Sequence, residues 1–147
     1  MIEVTGNFWD YAESGIYALV VTTNGVVKKD GSLIMGAGIA KDFRDLFPDL
    51  DSELGDKVAR IGNRPHWVNL SGCDIISLPT KKNWKDDSSY TLIMNGAVTI
   101  RDWADQYPDM KWLCTRPGCG NGNLKWDVVK KILTECGWDD RFTIVEM

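Results

Sequence analysis

Two glycine-rich segments contain the residue types best suited to hold a phosphate. Residues 35–41 read MGAGIAK and residues 116–126 read RPGCGNGNLKW. Each follows an apolar run typical of a β-strand and precedes a run with helical spacing. Glycine lets a ligand approach bare N–H groups, and the positive end of a helix dipole favours an anion there. The pair predicts a diphosphate site, although a single GxG is more often an empty turn.

The common nucleotide-binding motifs do not account for these glycines. No stretch matches the GxxxxGK[ST] pattern of a P-loop, and residues 36–41 (GAGIAK) match the GxGxxG dinucleotide fingerprint only weakly. In an open α/β sheet, ligands gather beyond the carboxyl ends of the strands. We therefore expect both segments to meet at one edge of a sheet.

Alternating strand and helix patterns run along the whole chain. Hydrophobic spacing predicts strands at 2–5, 17–23, 66–70, 73–80, 111–115 and 142–147, and helices at 38–47, 50–61, 89–107 and 124–136. Ser88 or Ser89 is expected to cap the third helix, and strands 66–70 and 73–80 to form a hairpin across Ser71 and Gly72. Val128, Val129, Ile132 and Leu133 are expected to face inward. The pattern predicts a three-layer α/β/α sandwich with a mixed, largely buried sheet.

Composition limits the classes of partner. The 147 residues carry a net charge of −4, without linkers or repeats, which predicts a single domain over 1–147. An acidic balance disfavours a broad surface for unmodified nucleic acid. No apolar stretch approaches the roughly 20 residues of a membrane span, and no signal-peptide pattern is present. We expect a cytoplasmic monomer without a membrane partner.

The cysteines do not suggest a metal site. Cys73, Cys114, Cys119 and Cys136 lack CxxC spacing, and His66 is the only histidine. A zinc site needs three or four good ligands, so we expect no metal and no cofactor. We expect reduced thiols, most of them buried.

In their order along the chain, residues 22–25 (TTNG), 35–41, 79–82 (PTKK) and 116–126 resemble the macro domain family. The resemblance covers residues 2–147 and is closest to the branch of the terminal ADP-ribose protein glycohydrolases and related bacterial and phage proteins. Macro domains bind ADP-ribose and its derivatives, and many hydrolyse an ADP-ribose linkage. The resemblance thus implies that the partner is ADP-ribose or an ADP-ribosylated macromolecule.

The resemblance also implies contacts for the two nucleoside ends. Asn7 stands where the family usually has an Asp that accepts a hydrogen bond from the adenine amino group, and Phe8 would add a backbone and an apolar contact. Asn7 is equally well explained as a turn residue after Gly6. Asn24 resembles the residue that lines the distal ribose, and it also forms an Asn-Gly turn with Gly25.

The two glycine-rich segments resemble the phosphate loops of the family. The implied ligand-binding residues of the first loop and of the strand that follows are Met35, Gly36, Ala37, Gly38, Ile39 and Thr80. Those of the second loop are Gly118, Cys119, Gly120, Asn121 and Gly122. Cys119 would contribute its backbone N–H, because nothing nearby in sequence makes its thiol reactive except a possible helix N-terminus.

Catalysis is the least specified part of the resemblance. Lys81 stands where the related glycohydrolases have an attacking lysine, and Asn24 would place substrate or water. Their partner Asp falls on Gly122, so that carboxylate is missing, and a solvated Lys81–Lys82 pair is an ordinary alternative. Three functions follow: an ADP-ribosyl hydrolase (acting on an ADP-ribosylated group or on ADP-ribose 1''-phosphate), a non-catalytic ADP-ribose reader, and a phage or bacterial protein that sequesters an NAD-derived signal.

Overall fold

Eleven elements make up the chain in a computed structural model that describes residues 1–147. The strands are β1 (Ile2–Thr5), β2 (Tyr17–Thr23), β3 (Trp67–Leu70), β4 (Cys73–Pro79), β5 (Lys111–Thr115) and β6 (Phe142–Glu146). The helices are α1 (Phe8–Ala12), α2 (Gly38–Leu46), α3 (Leu50–Ile61), α4 (Tyr90–Gln106) and α5 (Trp126–Glu135). No helix is long and apolar enough to cross a bilayer.

The six strands form one mixed sheet in the order β1-β6-β5-β2-β4-β3. All neighbours are parallel except β3, which pairs antiparallel with β4. Successive strand residues point to opposite faces, so Val20 and Ile76 pack on one side while Leu19 and Ile75 pack on the other. The parallel strands therefore end at one common edge, where their loops meet.

Helices cover both faces of the sheet. One core cluster contains Ile93 and Ala97 of α4 with Leu133 of α5, and the opposite cluster contains Phe43 of α2 with Leu54 of α3. These side chains are completely buried. The predicted three-layer sandwich with a mixed sheet is thereby confirmed.

Local chemistry explains most element ends. Ser89 caps α4, since its Oγ accepts from Leu92 N at 3.2 Å. The β3–β4 hairpin turns at Ser71 and Gly72 with φ values of 53° and 77°, as the left-handed positions of a two-residue turn require.

The structure adds one element to the sequence-based expectations and corrects two of them. Helix α1 was not expected, because five residues are too few to show a helical period. Val128 is 38% exposed, because only Val129 and Leu133 of α5 point directly at the sheet. Among the cysteines only Cys114 is buried; the other three are half-buried and all four are free.

Candidate functional site

A cavity of about 900 Å³ opens at the edge where the parallel strands end. It is bounded by the residues that follow β2, β4, β5 and β6. Pockets for small ligands usually measure roughly 300–1,000 Å³, so the volume suits a ligand of nucleotide size. The cavity therefore lies at the edge of the sheet where the two glycine-rich segments are predicted to meet.

Most of the predicted site residues line this cavity. Twelve of the fourteen expected ligand-binding residues do so: Asn24, Met35, Gly36, Ala37, Gly38, Ile39, Thr80, Gly118, Cys119, Gly120, Asn121 and Gly122. Lys81 also lies on the wall, whereas Asn7 and Phe8 do not. The fold thus brings together residues that are up to 98 positions apart, from Asn24 to Gly122.

The first loop ends at the exposed N-terminus of α2. Ala37 is extended and makes no side-chain cap, and Gly38 has a φ of +59°. A Cβ on Gly38 would lie 3.3 Å from Nδ2 of Asn121 in the second loop. Gly38 therefore meets two demands, a left-handed backbone and close spacing between the loops.

Asn24 supports the first loop through both of its amide atoms. Its Nδ2 donates to Ile34 O at 2.9 Å, and its Oδ1 accepts from Val26 N at 2.9 Å. These two bonds connect the start of the segment between β2 and α2, at Asn24, to Ile34 near its end. Asn24 therefore lies on the cavity wall as a loop-holding residue, and its role in placing substrate or water stays a prediction.

The second loop is a succession of tight turns packed on Ser88. Leu124 N donates to Gly118 O at 2.9 Å, and Ser88 N donates to Gly122 O at 2.9 Å. A Cβ on Gly122 would overlap Ser88 Oγ and lie 2.5 Å from Gly118 O. This position, where the related glycohydrolases have a carboxylate, has no room for a side chain in this chain.

Lys81 connects the end of β4 to the second loop. Its Nζ lies 3.4 Å from Asn121 O and 3.4 Å from Trp84 O. The main chain is held as well, since Asn63 Nδ2 donates to Lys81 O at 3.1 Å. The ammonium of Lys81 is thus directed at carbonyl oxygens on the cavity wall, while the neighbouring Lys82 is exposed and lies outside the lining.

Solved structures of macrodomains resemble this chain over nearly its whole length. The macrodomain of Mycobacterium tuberculosis DarG matches with a TM-score of 0.77 and 24% identity, over 99% of this chain and 98% of that one. The macrodomain of Thermus aquaticus DarG matches with a TM-score of 0.77 and 26% identity, over 99% and 97%. The chain has the macrodomain fold. No protein-family model and no curated protein matches the sequence significantly.

A third match is a longer protein whose structure is described with a ligand. The structure described as Thermosipho africanus DarTG in complex with ADP-ribose has a TM-score of 0.78 and 19% identity, over 99% of this chain and 41% of that one. The sequence-based resemblance to macro domains is therefore confirmed at the level of the fold. The cavity at the carboxyl ends of the parallel strands is therefore the candidate functional site.

Asn7 and Phe8 serve the macrodomain core in this structure. Asn7 caps α1, because its Oδ1 accepts from Trp9 N at 3.0 Å. The Phe8 ring is completely buried against Phe43, with ring centroids 5.7 Å apart, and the expected apolar contact of Phe8 with an adenine stays a prediction. A contact from exposed Asn7 or from the Phe8 backbone stays a prediction.

Charged and aromatic residues of the macrodomain cavity escaped the sequence analysis. The wall also contains Lys28, Arg44, Trp84, Arg116, Trp126 and Glu146. Arg116 and Trp126 begin and end the second glycine-rich segment, and Trp84 follows residues 79–82, so their nearness to the motifs was the available signal. Lys28, Trp84 and Arg116 lie in loops, which carry no hydrophobic periodicity, and the periodicity of α2 and α5 indicates only the face that packs on the sheet.

The thiol on the cavity wall is not activated. Burial raises the pKa of Cys119 above its ordinary value, although Arg116 nearby opposes this. Its Sγ lies 3.4 Å from Pro117 O. A neutral thiol that faces a carbonyl supports the expectation that Cys119 contributes backbone rather than a nucleophile.

Proposed function

We propose that this macrodomain, over residues 1–147, binds ADP-ribose or an ADP-ribose derivative in the cavity between its two glycine-rich loops. The observation that carries the proposal is that the two loops converge at the N-terminus of α2. There, a Cβ added to Gly38 would lie 3.3 Å from Nδ2 of Asn121 in the second loop. Uncapped N–H groups at a helix start favour a phosphate. The structurally similar Thermosipho africanus protein is described with ADP-ribose.

The charges on the wall favour the same ligand. The protein is acidic overall, with a net charge of −4, yet the lining contains the cations Lys28, Arg44, Lys81 and Arg116 and the single acidic side chain of Glu146. From β6 to β4 the strand ends span about 14 Å, given a strand spacing of about 4.8 Å. A long dianion with a sugar at each side of a diphosphate matches this length and sign.

Isothermal titration with ADP-ribose, AMP, ATP and NAD tests the binding proposal. ADP-ribose is expected to bind at least about tenfold more tightly than AMP, which corresponds to ~1.4 kcal/mol. The reason is that ADP-ribose, unlike AMP, has a diphosphate and a distal ribose that can reach both the glycine-rich loops and the Lys81 end. Equal affinities for ADP-ribose and AMP would refute it, because the distal half of the ligand would then contribute nothing.

Hydrolysis of an ADP-ribosyl linkage is the second candidate function, and the position of Lys81 favours it. A neutral amine there attacks the anomeric carbon of a distal ribose, while the linked group leaves with the bonding electrons and takes up the proton that the amine loses. Water then attacks the same carbon and breaks the new C–N bond, which releases ADP-ribose and returns the free lysine. No carboxylate lines the wall beside Lys81, since Glu146 lies on β6, three strands away. Acid–base assistance is typically worth ~10²–10⁴-fold, so turnover without it is slow.

A pair of adjacent variants separates hydrolase from reader. Lys81→Ala is expected to abolish release of ADP-ribose from an ADP-ribosylated peptide and to retain ADP-ribose binding within about threefold, because diphosphate contacts remain. Lys82→Ala is the control, since Lys82 has the same charge outside the cavity. Binding without any release by the unmodified protein would leave the reader function.

The partner range follows from the same charges. The proposal covers free ADP-ribose and ADP-ribosylated macromolecules, bound by a cytoplasmic monomer that does not hold unmodified nucleic acid. A backbone-binding surface shows a steep loss of affinity with salt because counterions are released. Tight binding of a plain oligonucleotide at physiological salt would contradict this part of the proposal.

A further inference from the structure

The main chain of Lys81 is held by a residue that lies outside the cavity. Asn63 belongs to the connection between α3 and β3, and its Nδ2 donates to Lys81 O at 3.1 Å. Asn63 is half-buried and does not line the cavity. Any effect of Asn63 on a bound ligand is therefore transmitted through the residues that it contacts.

The same amide packs against the turn that follows β2. A Cβ added to Gly25 would lie 2.8 Å from Asn63 Nδ2 and 3.1 Å from Lys82 O, so a side chain at residue 25 has no room beside the amide. Gly25 N also donates to Lys82 O at 3.0 Å. The Asn63 amide thus fills the corner between two chain segments, of which one begins with Asn24 and the other contains Lys81.

The connection that carries Asn63 is fixed on both sides. Gly62 N donates to Val58 O of α3 at 2.9 Å. His66 Nε2 lies 2.9 Å from Gly62 O, and His66 N donates to Ser77 Oγ of β4 at 2.9 Å. Because the connection is anchored to α3 and to β4, its amide holds the carbonyl that it binds in a defined place.

The other half of the Asn63 amide is left unsatisfied. Its Oδ1 is buried and has no hydrogen-bond partner in the protein. An unpaired buried acceptor destabilises the folded state. Leucine has a similar size and shape without this acceptor, so the feature that asparagine adds here is the N–H that it donates to Lys81 O.

We infer that Asn63 is a positioning residue, which fixes the main chain of Lys81 relative to Asn24 and thereby sets where the Lys81 amine lies at the distal-ribose end of the cavity. The inference rests on the proposed function, in which Lys81 and Asn24 act at the distal ribose of ADP-ribose. The contacts of Lys81 Nζ with Trp84 O and Asn121 O are both long, at 3.4 Å. The reach of the amine therefore depends on where its main chain is held.

A trapping experiment with free ADP-ribose reports on the Lys81 amine without requiring turnover. The distal ribose opens to an aldehyde at its anomeric carbon, and an amine condenses with this aldehyde to an imine with loss of water. Cyanoborohydride then delivers hydride to the imine carbon, and the nitrogen takes up a proton, which leaves a stable secondary amine. Peptide mass spectrometry gives the rate at each lysine, and the parent is expected to react faster at Lys81 than at Lys82, which lies outside the cavity.

The decisive variant is Asn63→Leu. At saturating ADP-ribose, the Lys81 adduct is expected to form at least about tenfold more slowly than in the parent, because a small displacement of a reacting group is costly in rate. Calorimetry is expected to give an ADP-ribose affinity within about threefold of the parent, since the glycine-rich loops are unchanged. If Asn63→Leu does not fold, Asn63→Ser repeats the measurement, because its shorter side chain does not reach Lys81 O.

Asn69→Leu is the matched control. Asn69 is an exposed asparagine on β3 that lies outside the cavity lining, and its Nδ2 donates to Asp74 Oδ1 at 3.0 Å. The substitution removes the same amide donor far from Lys81. Its adduct rate at Lys81 and its ADP-ribose affinity are expected to match those of the parent.

The outcomes separate the inference from the binding proposal. Unchanged adduct formation at Lys81 in the Asn63 variant would overturn the inference. Affinity and melting temperature that fall in step with the adduct rate would also overturn it, because Asn63 would then support the fold as a whole. A parent that binds ADP-ribose without forming the Lys81 adduct would overturn the inference while the binding proposal stands. A parent that does not bind ADP-ribose would overturn both.

Discussion

The two glycine-rich loops use the same residue for different physical reasons. In the first loop, Gly36 has open space where a Cβ would be, and Gly38 needs its left-handed backbone. In the second loop, Gly122 has an ordinary φ but no space, because Ser88 and Gly118 occupy the position of a side chain. Glycine is thus required for conformation at Gly38 in the first loop and for packing at Gly122 in the second.

This difference predicts which property of the protein, stability or ligand affinity, a substitution in each loop changes. A side chain added at Gly118 or Gly122 of the second loop must displace protein atoms, so the folded state itself is destabilised. A side chain added to the exposed first loop meets solvent until a ligand arrives. We therefore expect stability to report on the second loop and affinity to report on the first.

The largest effect is expected for Gly122→Ala. The added methyl group overlaps Ser88 Oγ and Gly118 O, so thermal unfolding should show a loss of about 1–3 kcal/mol, together with loss of ADP-ribose binding as the loop is displaced. Gly120→Ala is the matched control, because nothing lies within 4 Å of its Cβ position. If both variants melt together with the parent, the packed loop is an incorrect description.

Gly38→Val should be second, with its effect mainly on affinity. The β-branched residue both resists a φ of +59° and faces Asn121, so ADP-ribose binding should fall by at least about tenfold. Gly15→Val provides the control for backbone strain, since Gly15 has a φ of +74° with nothing within 4 Å and lies outside the cavity lining. Calorimetry on both variants separates strain from ligand contact; an equal loss of affinity would contradict the assignment.

The smallest effect is expected for Gly36→Ala. No protein atom lies within 4 Å of the added methyl group, so the free energy of unfolding should stay within about 0.5 kcal/mol of the parent. Its affinity for ADP-ribose should fall less than that of Gly38→Val, because one methyl group only partly fills the approach path. A melting curve and one titration measure both quantities. A large loss of stability would show that the two loops do not differ in packing.

The sequence predicts the layers and the loops well because both depend on local signals. Strand β5 and helix α3 match their hydrophobic patterns residue for residue, and twelve of the loop residues reach the cavity. What it could not supply depends on distant partners. The space beside Gly122 is occupied by Ser88, 34 positions earlier, and Arg116 forms ion pairs with Glu3 and Glu146, which are distant in sequence.

Asn24 and Asn7 show a second limit of sequence reasoning. An asparagine offers the same carboxamide to a ligand, a turn or a helix cap, and only the fold decides among them. Here Asn7 and Asn24 each accept from the backbone N–H two residues ahead, and Asn24 also donates to Ile34 O. The ligand contacts that the macro domain resemblance implies for these two side chains stay predictions.

The order of the strands has a consequence for how the chain is made. Strand β1 pairs only with β6, and Ile2 is the register partner of Thr143. Among the residues of the six strands, those of β6 are the last to leave the ribosome. During translation β1 remains without a ladder partner while β2, β4 and β5 can already assemble. The edge of β5 that β6 later covers stays open for the same interval, until residues 142–146 pair with both β5 and β1.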